Sequence, residues 1–180
     1  MKNNVYHGSQ TSGLKALNPV KSTHGISYVY ATKDLIQAIV FMKNRQKSHG
    51  DFSYWIGRNP ETKKIAIVER YPNAFDDVFG GISGSIYTLP GDTFEEGKTG
   101  FKDEVVSSEP VQVLEETGIE NVRDYINSLA DEGKLEMYLY PSRPKCVPEN
   151  DEDLIERAIK WSAMYTFKRL HPKLYEKIQK

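Results

Sequence analysis

Three short stretches carry side chains that together could work on a sugar. Tyr6-His7-Gly8-Ser9 closes the first apolar stretch, Tyr28-Val29-Tyr30-Ala31-Thr32 follows it, and Glu104-Val105-Val106-Ser107 comes after an acidic, glycine-rich loop. An imidazole can fix a sugar hydroxyl, a phenol ring can hold a flat leaving group, and a carboxylate can stabilise positive charge growing on the sugar. Gly8 would let a ligand approach the backbone, and Ser9 adds a hydroxyl. Tyr28 shares a face with Tyr30 if the segment is extended. Each stretch also has an ordinary explanation: a polar turn after a strand, a pair of core aromatics, an exposed edge glutamate. Glu69, at the end of Ile65-Ala66-Ile67-Val68, and Glu109, before Pro110, compete with Glu104 for the carboxylate role.

The elements that must position these groups are readable from periodicity. Strands are expected at Val5-Tyr6, Tyr28 to Tyr30, Phe52 to Ile56, Lys64 to Glu69, Ser85 to Leu89, Glu104 to Ser107, and Leu135 to Tyr140, with Val111 to Leu114 extended after Pro110. Leu14 and Leu17 fall on one side of a turn. Leu35, Ile36, Ile39, Val40 and Met42 predict an amphipathic helix over Lys33 to Lys43 with Thr32 as its N-cap. Tyr30 would then stand just before a helix N-terminus, where free backbone N–H groups gather. Asn73 to Phe79 predicts a helical segment stopped by Gly80-Gly81. Ile119, Val122, Ile126 and Leu129 predict another, ended by Gly133. A linker-like stretch from Pro141 to Pro148 leads to a C-terminal helix that opens at Asn150-Asp151-Glu152-Asp153 and runs to Leu170, stopping near Pro172. Leu154, Ala158, Trp161 and Tyr165 mark its apolar face. The pattern is α+β within a single domain.

Composition narrows the function. The chain has 180 residues, 38% hydrophobic and 27% charged, with a formal net charge of -1. That balance predicts a globular protein and gives no strong nucleic-acid signature, which would need clustered Lys and Arg. One cysteine, Cys146, offers no internal disulfide, and it lies between prolines with no obvious base to activate it. No signal peptide or membrane span is recognisable, so a cytoplasmic setting is the expectation. The histidines His7, His24, His49 and His171 are dispersed and predict no metal site, although His24-Gly25 could line the same cleft as His7. Gly80 to Ser85 lacks the lysine of a phosphate-binding loop and reads as a flexible connection. Lys168-Arg169, Lys173, Lys177 and Lys180 read as a solvated, dipole-matched helix end.

Tyr6-His7-Gly8-Ser9 resembles the His-Gly-Thr/Ser element of the His-Tyr-Glu branch of ADP-ribosyltransferases. That branch includes the diphtheria-toxin-like, poly(ADP-ribose) polymerase-like and rifamycin-inactivating enzymes. Val29-Tyr30-Ala31-Thr32, running into Leu35 to Phe41, is similar to their tyrosine strand and following helix. Glu104-Val105-Val106 looks like the strand carrying their third residue. The resemblance covers about residues 4 to 115. It implies a split, mixed β-structure of two packed sheets with flanking helices and NAD between the sheets, the C-terminal helix being an addition. It also implies that residues 1–115 form an NAD-binding transferase core and 116–180 an extension. Carried over by position, His7 would hold a ribose, Tyr30 would stack on nicotinamide and Glu104 would stabilise the ribosyl cation, with Gly8, Ser9, Tyr28 and Thr32 completing the NAD site. The implied activity is mono-ADP-ribosyl transfer to a protein, nucleic acid or small molecule, or NAD hydrolysis. Lys102 stands two residues before Glu104 and no Ser-Thr-Ser strand is present, so arginine modification is not implied. Two alternatives stay open. An RNA 2′-phosphotransferase of related scaffold would need basic residues that are not clustered near His7 or Tyr30. A non-enzymatic interaction module would keep the fold without the chemistry.

Overall fold

A computed structural model describes residues 4–21, 26–44, 46–47 and 49–179. In chain order the strands are β1 (Val5–Ser9), β2 (Ala16–Leu17), β3 (Val20–Lys21), β4 (Ser27–Thr32), β5 (Tyr54–Arg58), β6 (Ile65–Glu69) and β7 (Gly84–Leu89). They continue as β8 (Glu95–Glu96), β9 (Glu104–Ser107), β10 (Val111–Gln112), β11 (Glu115–Ile119) and β12 (Leu135–Tyr138). The helices are α1 (Leu35–Val40), α2 (Ala74–Phe79), α3 (Val122–Asp131), α4 (Glu152–Lys160), α5 (Met164–Leu170) and α6 (Pro172–Lys177). The class is α+β. Two compact units interleave along the chain: residues 1–43 with 81–126, and residues 44–80 with 127–180.

The first unit is built on a seven-stranded antiparallel sheet in the order β11-β7-β1-β4-β9-β8, with β3 added to β4. Strand alternation sends Val5, Val29, Ala31, Tyr87, Leu89 and Val105 to one face. There they bury against Leu17 and Val111, which face each other across the β2–β10 ladder. Helix α1 packs on the other face of the sheet, close enough that a Cβ at Gly8 would meet the Ala38 carbonyl oxygen at 2.1 Å. At Gly84 a Cβ would meet the Ser9 carbonyl oxygen of β1 at 2.5 Å and the Met42 sulfur, just past the helix, at 2.7 Å. The helix is shorter than its apolar periodicity suggests, and its cap is Asp34, whose carboxylate accepts from the Ile36 and Gln37 amides at 2.9 and 3.3 Å. Thr32 is still paired with Glu104 in the β4–β9 ladder, so its backbone stays extended and the cap falls two residues later. Thr32 helps indirectly, its hydroxyl accepting from the Asp34 amide at 3.1 Å.

The second unit holds a three-stranded sheet in the order β12-β6-β5, parallel at β12 and antiparallel at β5. Central β6 is buried along its whole length, as its unbroken apolar run requires. Helix α2 buries Ala74, Phe75, Val78 and Phe79. The C-terminal helix expected to run to Leu170 is divided into α4 and α5 by a turn at Trp161-Ser162, with Ser162 at φ 52°. It ends at Leu170 as expected, and Pro172 then opens a further helix, α6. Proline suits a first helical turn, because its missing N–H would have no intrahelical partner there. Phe52, Leu154, Ala158 and Phe167 form the buried centre of this region. Among the described residues no helix is long and apolar enough to cross a membrane.

Candidate functional site

Three adjacent strands of the first unit, β1, β4 and β9, carry His7, Tyr30 and Glu104. Glu104 stands opposite Thr32, and Tyr30 opposite Val106, so Tyr28, Tyr30, Thr32 and Glu104 share one face of the β4–β9 pair. Tyr28 and Tyr30 meet edge to face, ring centroids 6.1 Å apart at 84°. His7, Tyr28, Tyr30 and Glu104 are half-buried, whereas Thr32 is only 1% exposed. Before β9, the Asp103 carbonyl accepts from the Lys33 amide at 2.9 Å, which ties the approach to Glu104 to the end of β4.

His7 occupies a different position. β1 keeps five register pairs with β7 but a single one with β4, Tyr6 opposite Thr32. Beyond that pair the ladder between β1 and β4 lapses, and His7 Nδ1 lies 2.7 Å from the Tyr30 carbonyl oxygen. A carbonyl only accepts, so Nδ1 carries the proton and, in the neutral ring, Nε2 is the acceptor nitrogen. By alternation His7 and Ser9 belong to the face of Tyr87, which stands opposite His7 with ring centroids 6.5 Å apart. Gly8 belongs to the face of Tyr30 and Glu104. The structure thus brings Tyr28, Tyr30, Thr32 and Glu104 together on one face and joins His7 to them through the Tyr30 backbone. Gly8 has a packing reason of its own, the closeness of α1.

The competing carboxylates are placed elsewhere. Glu69, in the second unit, is 4% exposed, and both oxygens are engaged by backbone amides, Phe75 at 2.9 Å and Tyr140 at 3.0 Å. It holds a helix start and a strand exit. Glu109 is exposed beyond β9, its amide donating to the Ser107 hydroxyl at 3.2 Å. His24-Gly25 lies outside the described residues. Phe41, just after α1, is half-buried and meets Phe101 edge-on at 5.6 Å.

Sequence reading missed a polar network beside His7. Glu116 on β11 accepts from the Gly13 amide at 2.8 Å, the Ser85 hydroxyl at 2.7 Å and the Tyr87 hydroxyl at 3.1 Å. The Tyr87 hydroxyl also reaches the Thr11 carbonyl at 2.7 Å, so the segment after His7-Gly8-Ser9 is pinned from β7 and β11. The Gly13 amide and the Ser85 hydroxyl hold the Glu116 carboxyl below its usual range, while burial pushes the Tyr87 hydroxyl up. Alternation in Ser85-Ile86-Tyr87 could have paired Ser85 with Tyr87. Nothing in Glu115-Glu116-Thr117-Gly118 signals a strand. Among the described residues no group of three or more His, Cys, Asp or Glu is placed to hold a metal ion. Comparison of the chain with protein-family models, with curated proteins and with solved structures finds no match.

Proposed function

We propose that the first unit binds NAD and transfers its ADP-ribose to an acceptor, or to water when no acceptor is present. The observation that carries this reading is the neighbourhood of β1, β4 and β9, with Thr32 opposite Glu104 and the His7 ring on the Tyr30 carbonyl. The donor set suits the chemistry. In the reaction the bond between ribose C1′ and the nicotinamide nitrogen breaks, and its electron pair leaves with neutral nicotinamide. Glu104 would stand against the positive charge left on the sugar. Tyr30 would hold the departing ring by its face, and His7, oriented by its bond to the Tyr30 carbonyl, would hold a ribose hydroxyl. The acceptor oxygen or nitrogen then bonds to C1′ and gives up its proton to solvent.

Release of nicotinamide from NAD, followed by chromatography, tests the reading. Glu104→Gln should lower the rate by about a hundredfold or more at unchanged circular dichroism, the scale expected when one transition-state contact is lost. Calorimetry without NAD binding, or a Glu104→Gln variant as fast as wild type, would overturn it.

One observation favours a second reading, a non-enzymatic interaction module. Alternation assigns the His7 side chain to the face of Tyr87, away from Tyr30 and Glu104. A chain that neither binds nor turns over NAD, yet keeps its fold on loss of Glu104, would support that alternative.

A further inference from the structure

A cavity of about 870 Å³ opens within the second unit, among residues that the proposed transferase site does not use. Its size lies in the range of small-molecule pockets, roughly 300–1,000 Å³. Arg70, Arg143, Lys173 and Lys177 line it, against the acids Glu149 and Asp151. Asp151 is already engaged, bonded to Arg70 at 3.1 Å and Arg143 at 2.7 Å. Lys173 and Lys177 are exposed, and neither makes an ion pair among the described residues. They stand four residues apart on α6, hence on one side of it, where like charges repel. An anion between them would turn that repulsion into attraction. Arg70, which also lines the cavity, has a fully buried side chain whose Nε is without a hydrogen-bond partner.

Two tyrosine rings line the same cavity. Tyr71 is held by its hydroxyl on Asp77 at 3.1 Å and by an edge-on contact with His171 at 6.0 Å. Tyr140, 43% exposed, adds a second ring on the same cavity. Cations and aromatic rings lining one cavity suit a ligand that carries both a phosphate and a planar base. We propose that this cavity binds a mononucleotide, with its phosphate between Lys173 and Lys177 and its base against Tyr71 and Tyr140.

Calorimetry on the full chain with AMP, adenosine and inorganic phosphate tests this. AMP should bind at least about tenfold more tightly than either fragment. The double variant Lys173→Glu/Lys177→Glu, confined to exposed positions, should weaken AMP by about tenfold or more. Tyr140→Ala should weaken AMP and leave phosphate unchanged, and Glu104→Gln should leave AMP binding intact. Absence of AMP binding, phosphate binding as tightly as AMP, or AMP affinity untouched by the double lysine variant would each overturn the proposal. So would loss of AMP binding in Glu104→Gln, because that result assigns the nucleotide to the first unit. Failure of NAD turnover leaves this test standing, since none of its arms depends on catalysis.

Discussion

Gly8→Ala separates two explanations of the glycine that follows His7. The added Cβ would fall 2.1 Å from the Ala38 carbonyl oxygen and 2.8 Å from Met42 Cγ. Carbon and oxygen rarely come closer than about 3.3 Å, so α1 must retreat by roughly 1 Å. The Met42 side chain can rotate away, but the Ala38 carbonyl belongs to a helix whose Ala38, Ile39 and Val40 are all at most 1% exposed. Overpacking of this kind costs about 1–3 kcal/mol, and a backbone obstacle places it near 3 kcal/mol. For a chain of this size each kcal/mol lowers the unfolding midpoint by about 2–4 °C, so the drop should be roughly 6–12 °C. Thermal unfolding followed by circular dichroism reads it, with Gly118→Ala as control, since a Cβ there meets nothing within 4 Å. A Gly8→Ala midpoint within about 1 °C of wild type would refute the packing account. If NAD binding were lost at the same time, the glycine would belong to the ligand.

Other substitutions probe the second unit. Glu69→Ala removes the acceptor for the Phe75 and Tyr140 amides and should cost about 2–4 kcal/mol in urea denaturation, with Glu69→Gln losing roughly half as much. Arg70→Ala leaves Asp153 without its buried partner and should cost about 3 kcal/mol by the same measurement. His171 is 8% exposed with Nε2 on the Phe52 carbonyl at 2.8 Å, and burial, the largest influence, holds its pKa below the ordinary 6.5. The unfolded chain therefore takes up this proton at a higher pH than the folded one. Stability should be full above about pH 6.5 and fall as the solution is acidified toward the lowered folded value, by at most about 1.4 kcal/mol per pH unit. Urea midpoints at successive pH values should show this slope in wild type and lose it in His171→Gln.

The parts of the fold legible in the sequence are those whose pattern is long enough to have a period. Tyr28 to Tyr30, Ile65 to Glu69, Ser85 to Leu89 and Glu104 to Ser107 alternate or run apolar, and each is a strand. β2, β3 and β8 have two residues each, too few to show any period, whereas β10 falls within the stretch from Val111 to Leu114 expected to be extended. β11 is exposed at four of its five positions and carries no apolar face, so only its ladder to β7 defines it. At the C-terminus, Trp161 and Tyr165 extended the stripe of Leu154 and Ala158 on paper. They are 53% and 82% exposed: Trp161 lies at the C-cap where α4 already ends, and the turn at Ser162 takes Tyr165 out of that register. The tie between β1 and the distant β7 and β11 likewise depends on strand pairing that no local signal announces.

The candidate residues were legible as types and illegible as faces. His7, Tyr30 and Glu104 could be singled out because their chemistry is distinctive, and each lies on its own strand. Which face each side chain takes depends on register, and register across β1 and β4 rests on one pair, Tyr6 with Thr32. A slip of one residue would move His7 to the face of Tyr30 and Glu104, and Gly8 away from it. Two contacts oppose that slip. Gly8 alone leaves room for the Ala38 carbonyl, and any side chain brought to that point would collide with α1. The His7 ring, reaching the Tyr30 carbonyl, satisfies a backbone acceptor exactly where the ladder between the strands lapses. The neighbouring residues of one short motif therefore do different work. The glycine seats the helix, and the imidazole closes the gap between strands.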